Sequence, residues 1–406
     1  MSSDSVRTDS LWDFVQVDEY SVPGGTVSMG KVRKGFREFV RYITKQDAQK
    51  ESPLEPGSDL SKLSEAHLNH AIPRPDWSEG AAHLAKRLQP WLESAEPSKP
   101  AIFYLAPPFT GRTELLSRYS ELQNIPVVAP PMRRSIPGNH DKWFRDWPKG
   151  TPWILPNLEK CFLRRADGLD LIRELLSRVL SGELGKGIIG CDGWAWSFLQ
   201  HVWLGRPSFT ITTQALDYSS MKKFFSRSIP QRPGNTAYTF RQADTGAYLL
   251  HDLEENAVSD YFWQRLTEYS RGNPGVASAC WQRALRALPE ETIDSETAPS
   301  RREPEKTIWV TPWNDLELPT YPKDEGETAL FVLHTLLIHD GLDLDSLANM
   351  LPADRAGVTE ILLFLRDSGL VEETEEAGET LWRVTPAGYP VVKKKLFANE
   401  YLCDPF

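Results

Sequence analysis

Residues 102–119, IFYLAPPFTGRTELLSRY, decide how this chain is read. With Ala101 in front, the stretch begins as an unbroken apolar run of strand length, Ala101–Leu105. It ends in an amphipathic segment, Gly111–Leu122, whose spacing predicts a helix. Prolines, a threonine and a glycine fill the gap between them, the composition of a tight connecting loop. Working outward, short apolar runs predict strands at Pro126–Ala129, Trp153–Leu155, Gly187–Cys191 and Phe209–Thr212. Helices at Leu169–Leu180 and Ser219–Ser226 separate them, and a longer helical patch runs from Ser259 to Ala287. Alternating strands and helices predict an α/β fold, a parallel sheet covered on both faces.

A loop between a strand and a helix can hold phosphate if its backbone N–H groups converge on the anion. Glycines let such a loop fold tightly, a lysine reaches the outer phosphates, and a Ser/Thr hydroxyl holds Mg2+. The loop here is Ala106-Pro107-Pro108-Phe109-Thr110-Gly111-Arg112-Thr113. It resembles the GPPGTGKT form of AAA+ ATPases at Pro107, Pro108, Thr110, Gly111 and Thr113. Ala106 and Phe109 stand in place of glycines, and Arg112 in place of the lysine. A planar guanidinium is no drop-in substitute for a compact ammonium. Thr113 keeps the metal-holding hydroxyl.

Downstream order extends the resemblance over about residues 99–288. TPWILPNLEKCFLR resembles the strand that ends in a metal-orienting Asp and a water-positioning Glu. Asn157 and Leu158 occupy those places, with Glu159 one residue late. GKGIIGCDGWAW resembles the strand carrying a polar sensor residue, here Cys191 or Asp192. YSRGNPGVASACWQRAL resembles the lid helix of STAND-type ATPases, whose Gly272-Asn273-Pro274 turn would lie near the nucleotide. The resemblance implies a nucleotide site of Ala106, Thr110, Gly111, Arg112, Thr113, Asn157, Glu159, Asp192 and Asn273. It would bind ATP or ADP with Mg2+, the metal on Thr113. Losing the lysine and both carboxylates removes three sources of transition-state stabilisation, each typically worth about a hundred- to a thousand-fold. No catalytic residue is therefore assigned. The plain alternative is an ordinary strand–turn–helix without a ligand.

The C-terminal part is compact. Helices are predicted at Thr328–Ile338, Leu344–Met350 and Arg355–Ser368, then strands Leu370–Glu373 and Leu381–Val384 about the Gly378 turn. Three helices and a hairpin make the layout of a winged helix. Residues 326–406 carry six basic and fourteen acidic side chains, a balance of −8. Duplex DNA is bound chiefly by neutralising phosphates, so this surface points to a protein partner and away from DNA. A second candidate partner surface is the basic helix Val32–Lys45, with Lys31, Arg33, Lys34, Arg37, Arg41 and Lys45 around it.

The expected organisation is an irregular and helical N-terminal region (1–98), a degenerate P-loop core (99–230), a helical lid with an insertion (231–288), a linker (289–325) and a winged helix (326–406). Charged residues at 25% and hydrophobic ones at 40% describe a globular chain. Cys161, Cys191, Cys280 and Cys403 lack zinc spacing and read as buried free thiols of a reducing cytoplasm. The most apolar short stretch, Ala329–Ile338, is too short to enter and cross a membrane. The reading is a pseudo-ATPase: a nucleotide-sensing or non-hydrolysing interaction subunit of a larger assembly. Its rivals are a slow ATPase switch with divergent motifs and a winged-helix DNA-binding regulator.

Overall fold

The computed structural model describes residues 10–23, 61–62, 68, 71–94, 100–203, 205, 209–229, 238–250, 257–287, 307–322, 326–376 and 378–406. The predicted basic helix Val32–Lys45 and the stretch Pro289–Lys306 lie outside the described residues.

In chain order the described elements begin with β1 (Phe14–Gln16), β2 (Ser61–Lys62), α1 (Trp77–Glu93), β3 (Ala101–Ala106), α2 (Arg112–Gln123) and α3 (Asp141–Arg145). Next come β4 (Trp153–Leu155), α4 (Asp170–Leu180), β5 (Gly187–Asp192), α5 (Gly193–Val202), β6 (Thr210–Thr213), α6 (Tyr218–Ser228) and β7 (Thr239–Gln242). Then follow α7 (Ala257–Ser270), α8 (Pro274–Ala284), β8 (Leu285–Ala287), β9 (Thr307–Val310), α9 (Glu327–Ile338), α10 (Leu344–Ala348) and α11 (Arg355–Asp367). The hairpin β10 (Val371–Glu376) and β11 (Glu379–Val384) precedes the last helix, α12 (Tyr389–Ala398). They group into two compact units: residues 1–21, 77–214 and 319–406, and residues 22–76 and 215–318.

The first unit is built on a five-stranded sheet in the order β1-β6-β3-β5-β4. β3, β4, β5 and β6 run parallel, and β1 closes one edge antiparallel to β6. Every residue of β3 and β5 is buried, as expected of strands covered on both faces. From β3 the chain crosses to the β4 edge, and from β5 it crosses back over β3 to β6. Connections leaving β3 and β5 to opposite sides make a topological switch point, where open α/β sheets form their ligand crevices.

The predicted strand Pro126–Ala129 is reduced to one bridge, Val127 to Ile154, with Val128 N–H donating to the Ile154 carbonyl at 2.7 Å. Pro126, Pro130 and Pro131 lack N–H groups, which confines pairing at this edge. Helix α5 was not anticipated. Its Trp194, Ala195, Trp196 and Leu199 are all buried, so no polar face exposes a helical period.

The C-terminal residues of this unit supply three helices, the hairpin and α12. Helix α9 is buried on nearly every side, and Leu342 pairs antiparallel with Trp382 beside the hairpin. No described helix is long and apolar enough to cross a membrane.

The second unit has a four-stranded sheet, β2-β8-β9-β7, and an aromatic core in which Trp263 and Trp281 stack at 5.4 Å. The predicted helical patch Ser259–Ala287 is two helices and a strand. Arg271 and Gly272, at φ 54° and 75°, break it, and the Gly272 N–H returns to the Thr267 carbonyl at 3.1 Å. Three cysteines are buried as expected, whereas Cys403 is half-exposed because it lies on the irregular C-terminal segment.

Candidate functional site

The decisive turn follows β3, at the C-terminal edge of the sheet. Ala106 is the last residue of β3 and fully buried in the sheet. The Thr110 hydroxyl donates to the Pro107 carbonyl at 2.9 Å and closes the turn. Phe109 holds φ at 66°, a left-handed backbone that bulky residues rarely adopt. Its ring meets Tyr389 of α12 edge-on, with centroids 5.6 Å apart. Gly111, at φ 78°, caps α2, and a Cβ there would fall 1.9 Å from the Trp77 ring. The indole lies where a side chain on Gly111 would sit, so glycine is required here for close approach as well as for its backbone.

Arg112 turns inward. Its Nη2 donates to Glu159 in a buried ion pair and to Asn157 Oδ1 at 3.2 Å. Glu159 is completely buried, and its other oxygen accepts the Asp192 N–H at 3.1 Å. Asp192 ends β5, caps α5 by accepting the Trp194 N–H at 2.9 Å, and is 4% exposed. The Thr113 hydroxyl is exposed and donates to Asn157 Oδ1 at 2.7 Å, so that one amide oxygen serves both Thr113 and Arg112. Arg112 Nε is buried without a hydrogen-bond partner.

The electrostatics follow from this burial. Desolvation works against the charge on Arg112, but Glu159 and Asp192 outweigh it and hold the guanidinium protonated above its usual range. Burial pushes the Glu159 carboxyl up, and the guanidinium pulls back only part of the way. Asp192 is pushed well up by burial, opposed by Arg112 and reinforced by Glu159. Desolvation of two carboxylates is thus shared by one arginine.

The structure therefore brings Arg112, Thr113, Asn157, Glu159 and Asp192 into one network beneath the turn. Asn273 belongs to the second unit, where its side chain caps α8 by accepting from the Gly275 and Val276 N–H groups at 3.0 and 3.2 Å. Sequence reasoning missed Trp77, Trp194 and Tyr389. No local motif marks an aromatic that reaches a loop from a distant element.

The residues present do not fit a magnesium nucleotide. The basic side chain that would meet the outer phosphates is committed to Glu159, and Ala106 and Phe109 stand where such a loop needs glycines. Thr113 has an amide oxygen beside it where Mg2+ sites use carboxylates with substrate phosphates.

No family model and no curated protein matches this chain. Among solved structures, a RuvB variant from Thermotoga maritima is similar at 15% identity, covering 82% of this chain and 97% of its own, with TM-score 0.34. CDC6P from Pyrobaculum aerophilum is similar at 12% identity, covering 84% of this chain and 100% of its own, with TM-score 0.33. Likenesses this slight carry no argument.

Proposed function

We propose that this chain is a degenerate P-loop protein of the AAA+/STAND kind that does not hydrolyse ATP and serves as an interaction subunit of a larger assembly. One observation carries the reading. Arg112, at the position that should face phosphate, is spent in a buried pair with Glu159. The sheet order and the turn at the end of β3 support a phosphate-loop ancestry, since the turn sits at a topological switch point. Phe109 and Asn157 support loss of the chemistry.

The C-terminal helices and hairpin are read as a winged helix whose acidic balance suits a protein partner. Within the chain, Glu376 already pairs with Lys160 and Arg383. The exposed acidic side chains of the hairpin are Glu372, Glu373, Glu375 and Glu379, of which Glu373 stands 3.9 Å from Arg366. A slow ATPase remains a second reading because Thr113 is exposed and its hydroxyl is held on Asn157.

Calorimetry with ATP and Mg2+ tests the proposal, on the wild type and on Ala106→Gly/Phe109→Gly/Arg112→Lys. The wild type should show no heat of binding up to about millimolar nucleotide, the weak end of ordinary substrate affinities. The triple variant should bind measurably. Micromolar binding by the wild type would overturn the loss of the phosphate site, and steady turnover would overturn the whole reading.

A further inference from the structure

The β10–β11 hairpin is a small sheet with one open side. Strand β11 is its inner strand, because Trp382 exchanges both backbone hydrogen bonds with Leu342, at 2.8 and 3.0 Å. Those groups of Trp382 point away from β10. Glu373, which stands opposite Trp382, is therefore in a non-hydrogen-bonded pair of the β10–β11 ladder. Its backbone N–H and C=O face outward, and with a period of two so do those of Glu375. Among the described residues, no backbone group meets these four.

Open edges are commonly blunted by a lysine, a proline, a bulge or a covering loop. β10 reads Val-Glu-Glu-Thr-Glu-Glu, and its register with β11 runs unbroken from Val371 to Glu376. What guards it is charge of one sign. Glu373 and Glu375 are exposed and share one face of the strand, while Glu376 is taken by Lys160 and Arg383. Arg366 lies 3.9 Å from Glu373, but both side chains are exposed and water screens the pair. Two copies of β10 laid edge to edge would set glutamate against glutamate, which is unfavourable. A strand with cations at alternate positions would instead gain at each cross-strand pair. The edge thus refuses its own kind and suits a basic one.

We propose that β10 is a docking edge for an extended basic segment of a partner protein, added antiparallel with lysine or arginine opposite Glu373 and Glu375. Main-chain hydrogen bonds supply the affinity, and the alternate cations supply the selection. The inference rests on the reading of the acidic hairpin as a partner surface and adds the form of the partner.

The experiment uses the full chain and three forms of the acetylated, amidated heptapeptide Thr-Val-Lys-Thr-Lys-Val-Thr. One is unmodified, one is N-methylated at both lysines, and one is N-methylated at both valines and the central threonine. All three carry the same charge, so attraction alone cannot separate them. In the proposed pairing the lysine amides face β10 and the alternate amides face away. The unmodified peptide should bind saturably and slow hydrogen exchange in 371–376. Methylation at the lysines should weaken binding at least about tenfold, since it removes hydrogen bonds made at the edge. Methylation at the alternate residues should leave binding within about twofold of the unmodified peptide, since those amides pair with nothing. Glu373→Gln/Glu375→Gln should weaken the unmodified peptide and flatten its salt dependence. Equal binding by the unmodified and lysine-methylated peptides would overturn strand pairing while leaving the acidic hairpin a partner surface. No binding of the unmodified peptide, or slowed exchange only outside 371–376, would also overturn the proposal. No nucleotide is used, so the pseudo-ATPase reading stands or falls separately by calorimetry.

Discussion

Two arginine–glutamate pairs of this chain have the same chemistry and opposite settings. Arg112 and Glu159, beneath the turn after β3, are 8% and 0% exposed and stitched to Asn157 and the Asp192 amide. Arg366 and Glu373, from α11 and β10, are both 46% exposed and stand 3.9 Å apart. Water screens the second pair and has been removed from the first. The buried pair need not add net stability, but once formed it cannot lose one member cheaply. A phosphate-binding cation could be freed for a ligand only by leaving Glu159 buried and uncompensated. The difference explains why an arginine here acts as part of the core.

Breaking the buried pair gives the largest expected effect. Arg112→Met should lower unfolding free energy by about 3–5 kcal/mol, since it leaves a buried carboxyl without its cation. Arg112→Met/Glu159→Leu should recover most of that loss. Urea denaturation of both checks it. A double variant no more stable than the single one would show that the carboxyl is not the source of the cost.

Acidification should come next. Arg164 Nη1 lies 3.3 Å from His334 Nδ1, and His334 Nε2 lies 2.9 Å from the Leu402 carbonyl, which requires the proton on Nε2. Burial, with Arg164 nearby, lowers the ring to about 4. His339 is held well down by burial and by Arg133. Groups depressed in the fold contribute stability that is present above the unfolded histidine value and lost as pH falls through the folded one. For His334 the loss is about 3 kcal/mol between pH 7 and pH 4. His334→Gln, which can make both hydrogen bonds, should lack that part of the pH dependence. Urea midpoints across this range that fall in parallel for both proteins would contradict it.

The sequence showed the frame of this site better than its filling. The strands Trp153–Leu155 and Gly187–Cys191 were legible because a parallel strand buried on both faces is a short unbroken apolar run. The hairpin was legible because Gly378 stands as a turn between two short strand-length segments. Candidates Arg112, Thr113, Asn157, Glu159 and Asp192 do meet, since all lie at the end of β3, β4 or β5 or on the segment that follows it, and the topology sets these three parallel strands side by side. What they do together was not legible. Spacing along the chain cannot show that Arg112 faces inward, or that Tyr389, a residue of the unanticipated helix α12, closes over Phe109. The hairpin's acidity was read as a surface, yet Glu376 is taken by Lys160.

Smaller effects sharpen the contrast. Asp192 sits well above its usual range because burial outweighs Arg112. A carboxyl raised in the fold loses stability as pH rises from the unfolded carboxylate value toward the folded one. Asp192→Asn retains an acceptor for the Trp194 N–H and should therefore be neutral or stabilising by up to about 1 kcal/mol at pH 7, with the gain vanishing near pH 4. Thermal melts at the two pH values would show it; a lower Tm at pH 7 would mean that the charge is needed for Arg112. Arg366→Met, at the exposed pair, should change stability by less than about 1 kcal/mol, and that little should fade in high salt. A larger loss would erase the distinction between the two settings.

Phosphate release from ATP, measured with Mg2+ on the full chain and on Thr113→Ala, tests the central claim most directly. The account predicts that the wild type releases phosphate no faster than Thr113→Ala and no faster than buffer alone, because Arg112 is held by Glu159 and the Thr113 hydroxyl is held on the Asn157 amide oxygen. Steady turnover by the wild type that disappears in Thr113→Ala would contradict it.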